Sequence, residues 1–248
     1  MTAVAVADGT DSGSARARIR TIAAYVGACV WGGLVAGLLI GGVGGRLAMF
    51  VLRLTSSDTV VGLESDDGFT IGQFSSDTFF LIILAGAVGV AGSLLYGLVR
   101  VWIPSRYRAV AFGTLGAFVG GSAIVHEEGI DFFLLEPRAL AIAMFVAIPL
   151  LGAVALSLVM EKMLTRADER SIGWLWLVAP LPALVLTGPL GIALVVALAI
   201  GLALEPKVPL VRWWQSEPVA WLGRAALLFW ASAGAVALFN DIRGIAAL

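Results

Sequence analysis

The sequence predicts an all-α fold, a polytopic transmembrane bundle of about seven helices. Of its 248 residues, 60% are hydrophobic and only 13% are charged, and the mean hydropathy is +0.98. A soluble domain carries about 25% charged residues, because polar groups must cover its surface. The chain also contains several apolar runs near the roughly 20 residues that a helix needs to cross the hydrocarbon core. Together these observations predict a membrane protein.

Five apolar runs each predict one spanning helix. They cover residues 21–45, 78–99, 109–125, 139–160 and 219–239. The first run follows Arg16, Arg18 and Arg20, which is the charge order of a signal peptide. It is longer than the roughly 7–15 apolar residues of a signal-peptide core. We therefore expect it to be a retained first span.

The run 172–204 is ambiguous because Pro180, Pro182 and Pro189 interrupt it. It is either one kinked span or two short spans that turn near Thr187 and Gly188, and a re-entrant or tilted pair is a further alternative. Lys and Arg collect on the cytoplasmic side of membrane proteins. With Arg224 left out of both counts, seven spans place 11 of these residues on the side of the N-terminus and 4 on the other, whereas six spans give 10 and 5. The charge pattern favours seven spans and a cytoplasmic N-terminus, and we expect the chain to lie in the plasma membrane.

The chain divides into three regions. Residues 1–20 predict a disordered cytoplasmic tail, residues 21–160 a four-span unit, and residues 161–248 a Trp-rich C-terminal group of spans. Two pairs of motifs suggest that the four-span unit is a tandem repeat of two helix–loop–helix hairpins. Asp66-Asp67-Gly68 matches Glu127-Glu128-Gly129 at an offset of 61, and Val43-Gly44-Gly45-Arg46 matches Val119-Gly120-Gly121-Ser122 at an offset of 76. Parallel repeats of this kind occur in transporters.

The loop between the first two spans predicts a small β-hairpin on the outer face. Asp67-Gly68 lies between short alternating apolar stretches, which is a signal for a two-residue hairpin turn. The loop from residue 55 to residue 77 has five acidic residues and no Lys or Arg. A solvated acidic cap is the alternative interpretation.

A row of small residues on the first span predicts close helix packing. Cys29, Gly33, Gly37, Gly41 and Gly45 recur every four residues, so they share one face of a helix. In lipid, such faces let two helix backbones approach closely. The same face could instead contact a second copy of the chain or another membrane protein.

Two groups of charged residues are the candidate site for a small solute or an ion. Arg46 follows the glycine row inside the first span, and an ionisable residue at such a position is a functional-site hypothesis by default. Arg46 could instead pair with carboxylates in an outer cluster of Asp66, Asp67, Glu127 and Glu128, or extend to the interface.

The second group lies after the third span and consists of His126, Glu127, Glu128 and Asp131. A histidine among carboxylates can titrate near neutral pH and relay protons or hold a cation. An ordinary polar cluster at a helix end is the alternative.

Several functions are excluded by the composition. A net charge of −1 argues against a nucleic-acid binder, and one Cys and one His argue against a disulfide framework and a multi-His or Cys-based metal site. The chain has no His-Glu-x-x-His, Walker or dinucleotide-binding motif, so we assign no catalytic residue and no cofactor. Gly120-Gly121-Ser122-Ala123 lacks the final glycine of the rhomboid-protease motif.

The sequence favours a protein that moves or senses a small solute or ion across a lipid bilayer. Gly-rich helices, a repeat and a Pro-interrupted span are features of transporters. The alternatives are an accessory or scaffold subunit of a membrane complex, and an enzyme acting on a lipid or isoprenoid with His126 as an acid–base group.

Overall fold

A computed structural model describes residues 11–57, 60–63, 70–71, 76–169, 181–204 and 210–247. These residues are mostly helical, and no extended strand occurs among them. Asp66, Asp67 and the predicted hairpin turn lie outside the described ranges. On the flanks of that turn, the Gly62 amide donates to the Ile71 carbonyl at 3.0 Å, and the Ile71 amide donates to the Leu63 carbonyl at 2.8 Å.

Eleven α-helices and two π-helical segments make up the described part of the chain. The N-terminal half contains α1 (Asp11–Ala36), π1 (Gly37–Gly44), α2 (Gly45–Thr55), α3 (Ser76–Val99), α4 (Arg108–Leu115), π2 (Gly116–Gly120), α5 (Gly121–Ile124) and α6 (Asp131–Leu134). The C-terminal half contains α7 (Arg138–Glu169), α8 (Leu181–Leu186), α9 (Gly188–Leu204), α10 (Leu210–Trp214) and α11 (Glu217–Ala247). A short 3₁₀ turn at Ser105–Tyr107 precedes α4.

Four of the described helices are long and apolar enough to cross a membrane. They are Arg20–Thr55, Thr78–Val99, Arg138–Arg166 and Glu217–Ala247. The chain is therefore a membrane-embedded helical protein. The predicted run 109–125 and the described part of the run 172–204 form shorter helices. The first of these, α4–π2–α5, covers only residues 108–124. In the second, Gly188, with φ of 60°, separates α8 from α9. A left-handed φ of this kind interrupts a helix and suits glycine.

Glycine allows the first two long helices to touch at their backbones. A Cβ atom placed on Gly33 would stand 2.5 Å from the Val90 Cα atom, and one placed on Gly89 would stand 2.8 Å from the Gly37 Cα atom. Real Cβ atoms do not approach so closely. The α1–π1 face that carries Gly33 and Gly37 is thus filled by α3 of the same chain.

The helix α4–π2–α5 packs on α7 in the same manner. A Cβ atom on Gly120 would stand 2.7 Å from the Pro149 Cβ atom, and one on Gly116 would stand 2.7 Å from the Ala153 Cβ atom. Pro149 lies inside α7, where it removes a backbone donor. On its other side π2 touches α11, since a Cβ atom on Gly234 would lie 2.8 Å from the Phe118 carbonyl carbon.

The bundle has two ends, each with its own apolar core. We name the end that holds residues 96–108, 160–166 and 210–217 the tryptophan end, and the end that holds residues 52–63, 124–138 and 241–247 the histidine end. The buried core nearer the tryptophan end is built from Val26, Cys29, Val30, Ala36, Val90, Leu94, Tyr96, Val99, Phe112, Leu156, Met160 and Leu184. The core nearer the histidine end is built from Leu52, Val60, Ile71, Val125, Phe132, Leu135, Ala141, Leu238 and Ile245.

Candidate functional site

Arg46 is held in the first turn of α2, and its guanidinium donates a short hydrogen bond to the hydroxyl of Thr78. Thr78 lies near the start of α3 and is completely buried. Both residues belong to helices that are apolar enough to cross a membrane. The structure therefore holds a permanent positive charge between two apolar helices, because a guanidinium stays protonated at any physiological pH.

The second predicted group surrounds the turn between α5 and α6. His126, Glu127 and Glu128 are exposed, whereas Asp131 is buried at the start of α6. The His126 Nε2 atom lies 3.0 Å from the Ala123 carbonyl oxygen. Glu127 packs on α11, where a Cβ atom added to Gly244 would stand 2.9 Å from the Glu127 Cβ atom.

The loop between α6 and α7 is tied to the end of the first long helix. The Glu136 amide donates to the Ser56 hydroxyl oxygen at 2.8 Å, and that hydroxyl donates to the Leu52 carbonyl at 2.8 Å. An open depression beside this link is lined by Thr55, Glu136, Pro137 and Arg138. The histidine end thus joins the loop after α2, the loop before α7 and the end of α11. Within the described ranges, no group of three or more His, Cys, Asp or Glu side chains could hold a metal ion.

An ionic cluster surrounds Glu161 at the tryptophan end and was not predicted from the sequence. Arg100 donates to both carboxylate oxygens of Glu161, at 2.7 and 2.8 Å, and Tyr96 donates to one of them at 2.8 Å. Arg108 donates to the other oxygen at 3.0 Å. One signal was available, since Glu161 is an acidic residue directly after an apolar run, on the side where Lys and Arg gather.

The cluster links α7 to the turn between α3 and α4. The Arg108 Nε–H points at two backbone carbonyl oxygens, those of Arg100 and Ile103, each 3.2 Å away. Burial by itself would lower the pKa of Arg100, but the hydrogen bonds and the charge of Glu161 hold that pKa above its ordinary value. Its partners are all supplied by the chain itself, so we assign this cluster a structural role.

A tryptophan pair next to the cluster fixes the start of α11. The rings of Trp102 and Trp214 are 4.6 Å apart, and each indole N–H donates to a backbone carbonyl, Trp102 to Trp214 at 3.2 Å and Trp214 to Leu98 at 2.9 Å. The Arg224 Nε–H donates to the Trp102 carbonyl oxygen at 2.7 Å. Gly223 lies against the Trp102 ring. The indoles therefore join the α3–α4 turn, α10 and α11.

The remaining small residues of the first helix differ in their surroundings. Cys29 is buried, with its thiol 4.0 Å from the Met160 sulfur. A Cβ atom on Gly41 would stand 3.0 Å from the Ala85 Cβ atom, whereas one on Gly45 would meet nothing within 4 Å. The glycine row therefore packs against α3 only over its first three glycines.

Comparison with protein-family models, with curated proteins and with solved structures finds no match to this chain. The class of the protein accordingly follows from its own helices, which define an α-helical membrane protein.

Proposed function

We propose that this chain is a seven-span protein of the plasma membrane that transports or senses a small solute or ion. The hydrogen-bonded pair of Arg46 and Thr78 carries the proposal. A charged side chain costs several kcal/mol within a membrane, so such residues mark solute or ion pathways more often than packing sites. A cationic guanidinium suits an anion or a solute with an anionic group. His126, Glu127, Glu128 and Asp131, with Asp66 and Asp67 of the outer loop, would form the entrance on the histidine end.

Irregular helical segments in the middle of the bundle support the proposal that the protein changes conformation. The segments π1 and π2 both touch α7, which contains Pro149. π-Helical turns occur frequently at functional sites, and proline allows helices to bend. Arg46 follows π1 by two residues, so a shift in that segment would move the guanidinium.

The two π-helical segments also support the tandem repeat. π1 ends at Gly44 and π2 ends at Gly120, which are separated by the same offset of 76 that aligns the two Val-Gly-Gly motifs. In each unit a Gly-rich helix with a π segment packs on the next long helix of the chain, α3 in the first unit and α7 in the second. Ser122 stands at the position that Arg46 occupies in the first unit, so the proposed site is asymmetric. The paired amides and carbonyls of Gly62, Leu63 and Ile71 support a hairpin in the outer loop.

The two ends of the segment between α7 and α10 lie at the same end of the bundle. This arrangement supports seven spans, or five spans with a re-entrant pair. Glu161 near the end of α7 and Trp214 in α10 both contact the α3–α4 turn, so the segment between them leaves and returns to the same end of the bundle. Such a segment crosses the membrane an even number of times. The 17 residues of α9 fall at the lower limit of a spanning helix.

Charge distribution supports a cytoplasmic tryptophan end. The exposed or half-buried basic residues nearer this end are Arg20, Arg100, Arg106, Arg108, Lys162, Arg166, Arg212 and Arg224, against Arg46, Arg53, Arg138 and Arg243 nearer the histidine end. Positive residues favour the cytoplasmic side. The N-terminus would then be cytoplasmic and the histidine end would face outward.

The accessory-subunit alternative depends on a glycine face that is free for a partner. Gly33 and Gly37 are filled by α3 of the same chain, which weakens that alternative. The open position at Gly45 leaves room for a second copy of the chain or a membrane partner near the end of the row.

The experiment is a flux and binding assay on the purified protein in liposomes. The panel contains chloride, nitrate, phosphate, acetate, potassium and sodium, and thermal stability is measured with each salt to detect a sensor. We expect at least one anion to cross or to stabilise the protein. Arg46→Gln should reduce that response at least about tenfold, whereas Arg53→Gln, an equal charge change two turns away, should change it less than about twofold. Equal responses of the two variants, or no response to the whole panel, would overturn the proposal.

A further inference from the structure

We propose that the start of α11 and the neighbouring α10 form a binding site for the headgroup of an anionic phospholipid. The site consists of Arg212 and Trp213 on α10 and Trp221 and Arg224 on α11. It is separate from the Arg46 region and does not depend on the transport proposal.

Tertiary contacts bring Trp213, Trp221 and Arg224 to the same end of the bundle, and Arg212 directly precedes Trp213 in α10. Arg224 is fixed by its hydrogen bond to the Trp102 carbonyl, and its guanidinium carbon lies 5.1 Å from the centre of the Trp221 ring. Trp102 in turn stacks on Trp214, whose ring lies 6.3 Å from that of Trp213. The contacts link the two ends of the proposed site through one row of aromatic rings.

The aromatic side chains are exposed and lie beside the start of a helix that is apolar enough to cross a membrane. Trp213 is 59% exposed and Trp221 is 63% exposed, although both are large and apolar. Indoles prefer the boundary between the hydrocarbon and the headgroups. Arg224 lies seven residues into α11, about 10 Å below its start, a depth from which a long side chain can reach a lipid phosphate.

The charges favour an anion at this position. Arg224 uses its Nε–H for the Trp102 carbonyl, and a guanidinium carries five N–H donors in a planar fork that matches phosphate oxygens. Arg212 is exposed one residue before Trp213. The nearby carboxylate of Glu161 is already engaged by Arg100 and Arg108. Among the described residues of α10 and α11 at this end, the acidic member is the exposed Glu217. Two guanidiniums against one carboxylate leave a net positive surface.

The test measures lipid binding to the purified full-length chain in neutral detergent micelles. Phosphatidylglycerol and phosphatidylcholine are titrated separately, and bound lipid is counted by native mass spectrometry while thermal stability is recorded. We expect phosphatidylglycerol to bind and stabilise the protein well above phosphatidylcholine. Each basic residue near a membrane surface contributes about fivefold to the affinity for anionic lipid, so Arg212→Gln should weaken binding about fivefold and the double change with Arg224→Gln about 25-fold.

Arg243→Gln is the matched control. Arg243 lies on the same helix near its other end, with its guanidinium carbon 5.6 Å from the centre of the Phe239 ring, so the change removes the same charge from a similar aromatic contact. We expect phosphatidylglycerol binding to stay within about twofold of the unchanged chain. Arg212 is exposed, so its variant remains informative even if Arg224→Gln disturbs the Trp102 contact.

Three outcomes would overturn the proposal. They are equal binding of phosphatidylcholine and phosphatidylglycerol, an equal effect of Arg212→Gln and Arg243→Gln, and stabilisation of the same size by soluble glycerol phosphate. The third outcome would indicate a site for a free phosphate compound in place of a lipid.

Discussion

Gly89 of α3 lies so close to Gly37 of π1 that a Cβ atom on either residue would overlap the backbone of the other helix. This contact fixes the distance between the first two long helices. Dispersion between closely approaching backbones drives such packing in lipid, where burial of apolar surface contributes little. The contact also brings Arg46 on α2 within reach of Thr78 on α3.

Gly37→Leu should destabilise the protein by about 1–3 kcal/mol, because the new side chain would force α1–π1 away from α3. Gly45→Leu is the control, since the same change on the same row meets open space. Thermal unfolding in detergent measures both variants. Equal losses of stability would place the packing surface elsewhere.

Glu161→Gln should destabilise the tryptophan end by about 1–3 kcal/mol, between the values for exposed and buried ion pairs. The change leaves Arg100 and Arg108 facing each other without a carboxylate. Lys162→Gln alters the next residue, which is exposed, and should change stability by less than about 0.5 kcal/mol. Denaturation in a series of salt concentrations gives a second check, because the loss should shrink as salt screens the two guanidiniums.

Cysteines introduced singly as Arg106→Cys and His126→Cys should be labelled from opposite sides of the membrane. Both positions are exposed, and they lie at opposite ends of the bundle. A cysteine at Arg212 should react from the same side as one at Arg106, because α10 contacts the α3–α4 turn. An impermeant maleimide applied to cells and to inside-out vesicles measures the sides. Labelling of Arg212→Cys together with His126→Cys would contradict an even number of crossings between α7 and α10.

Cys29 should react with a soluble maleimide at least about tenfold more slowly in the folded protein than after denaturation. Its side chain is 1% exposed and lies between α3 and α7, near Gly97 and Met160. Protection of a buried group reports local opening. Rapid labelling without denaturant would mean that this part of the bundle opens readily. With the expected protection, the native cysteine also serves as the unreactive background for the labelling experiment.

Composition and hydropathy were sufficient to predict the class of the protein and the course of its main helices. Hydropathy marks a helix wherever about 20 apolar residues follow one another, because a buried backbone in lipid must satisfy its own hydrogen bonds. Residues 21–45, 78–99 and 139–160 all lie within described helices for this reason. The spacing of Gly33 and Gly37 likewise identified one helix face, since that spacing depends only on the helical period.

The contacts between distant residues depend on how the helices pack and could not be predicted from hydropathy. Arg46 bonds to Thr78, 32 residues later, and Trp102 stacks on Trp214 across an even larger interval. Glu161 gathers its two arginines from a turn more than fifty residues earlier. Hydropathy averages over a window and carries no information about the direction in which a side chain points. Such pairs form because helices pack at particular angles and depths. A polar group in an apolar bundle is stable only where that packing places a hydrogen-bonding or charged partner beside it.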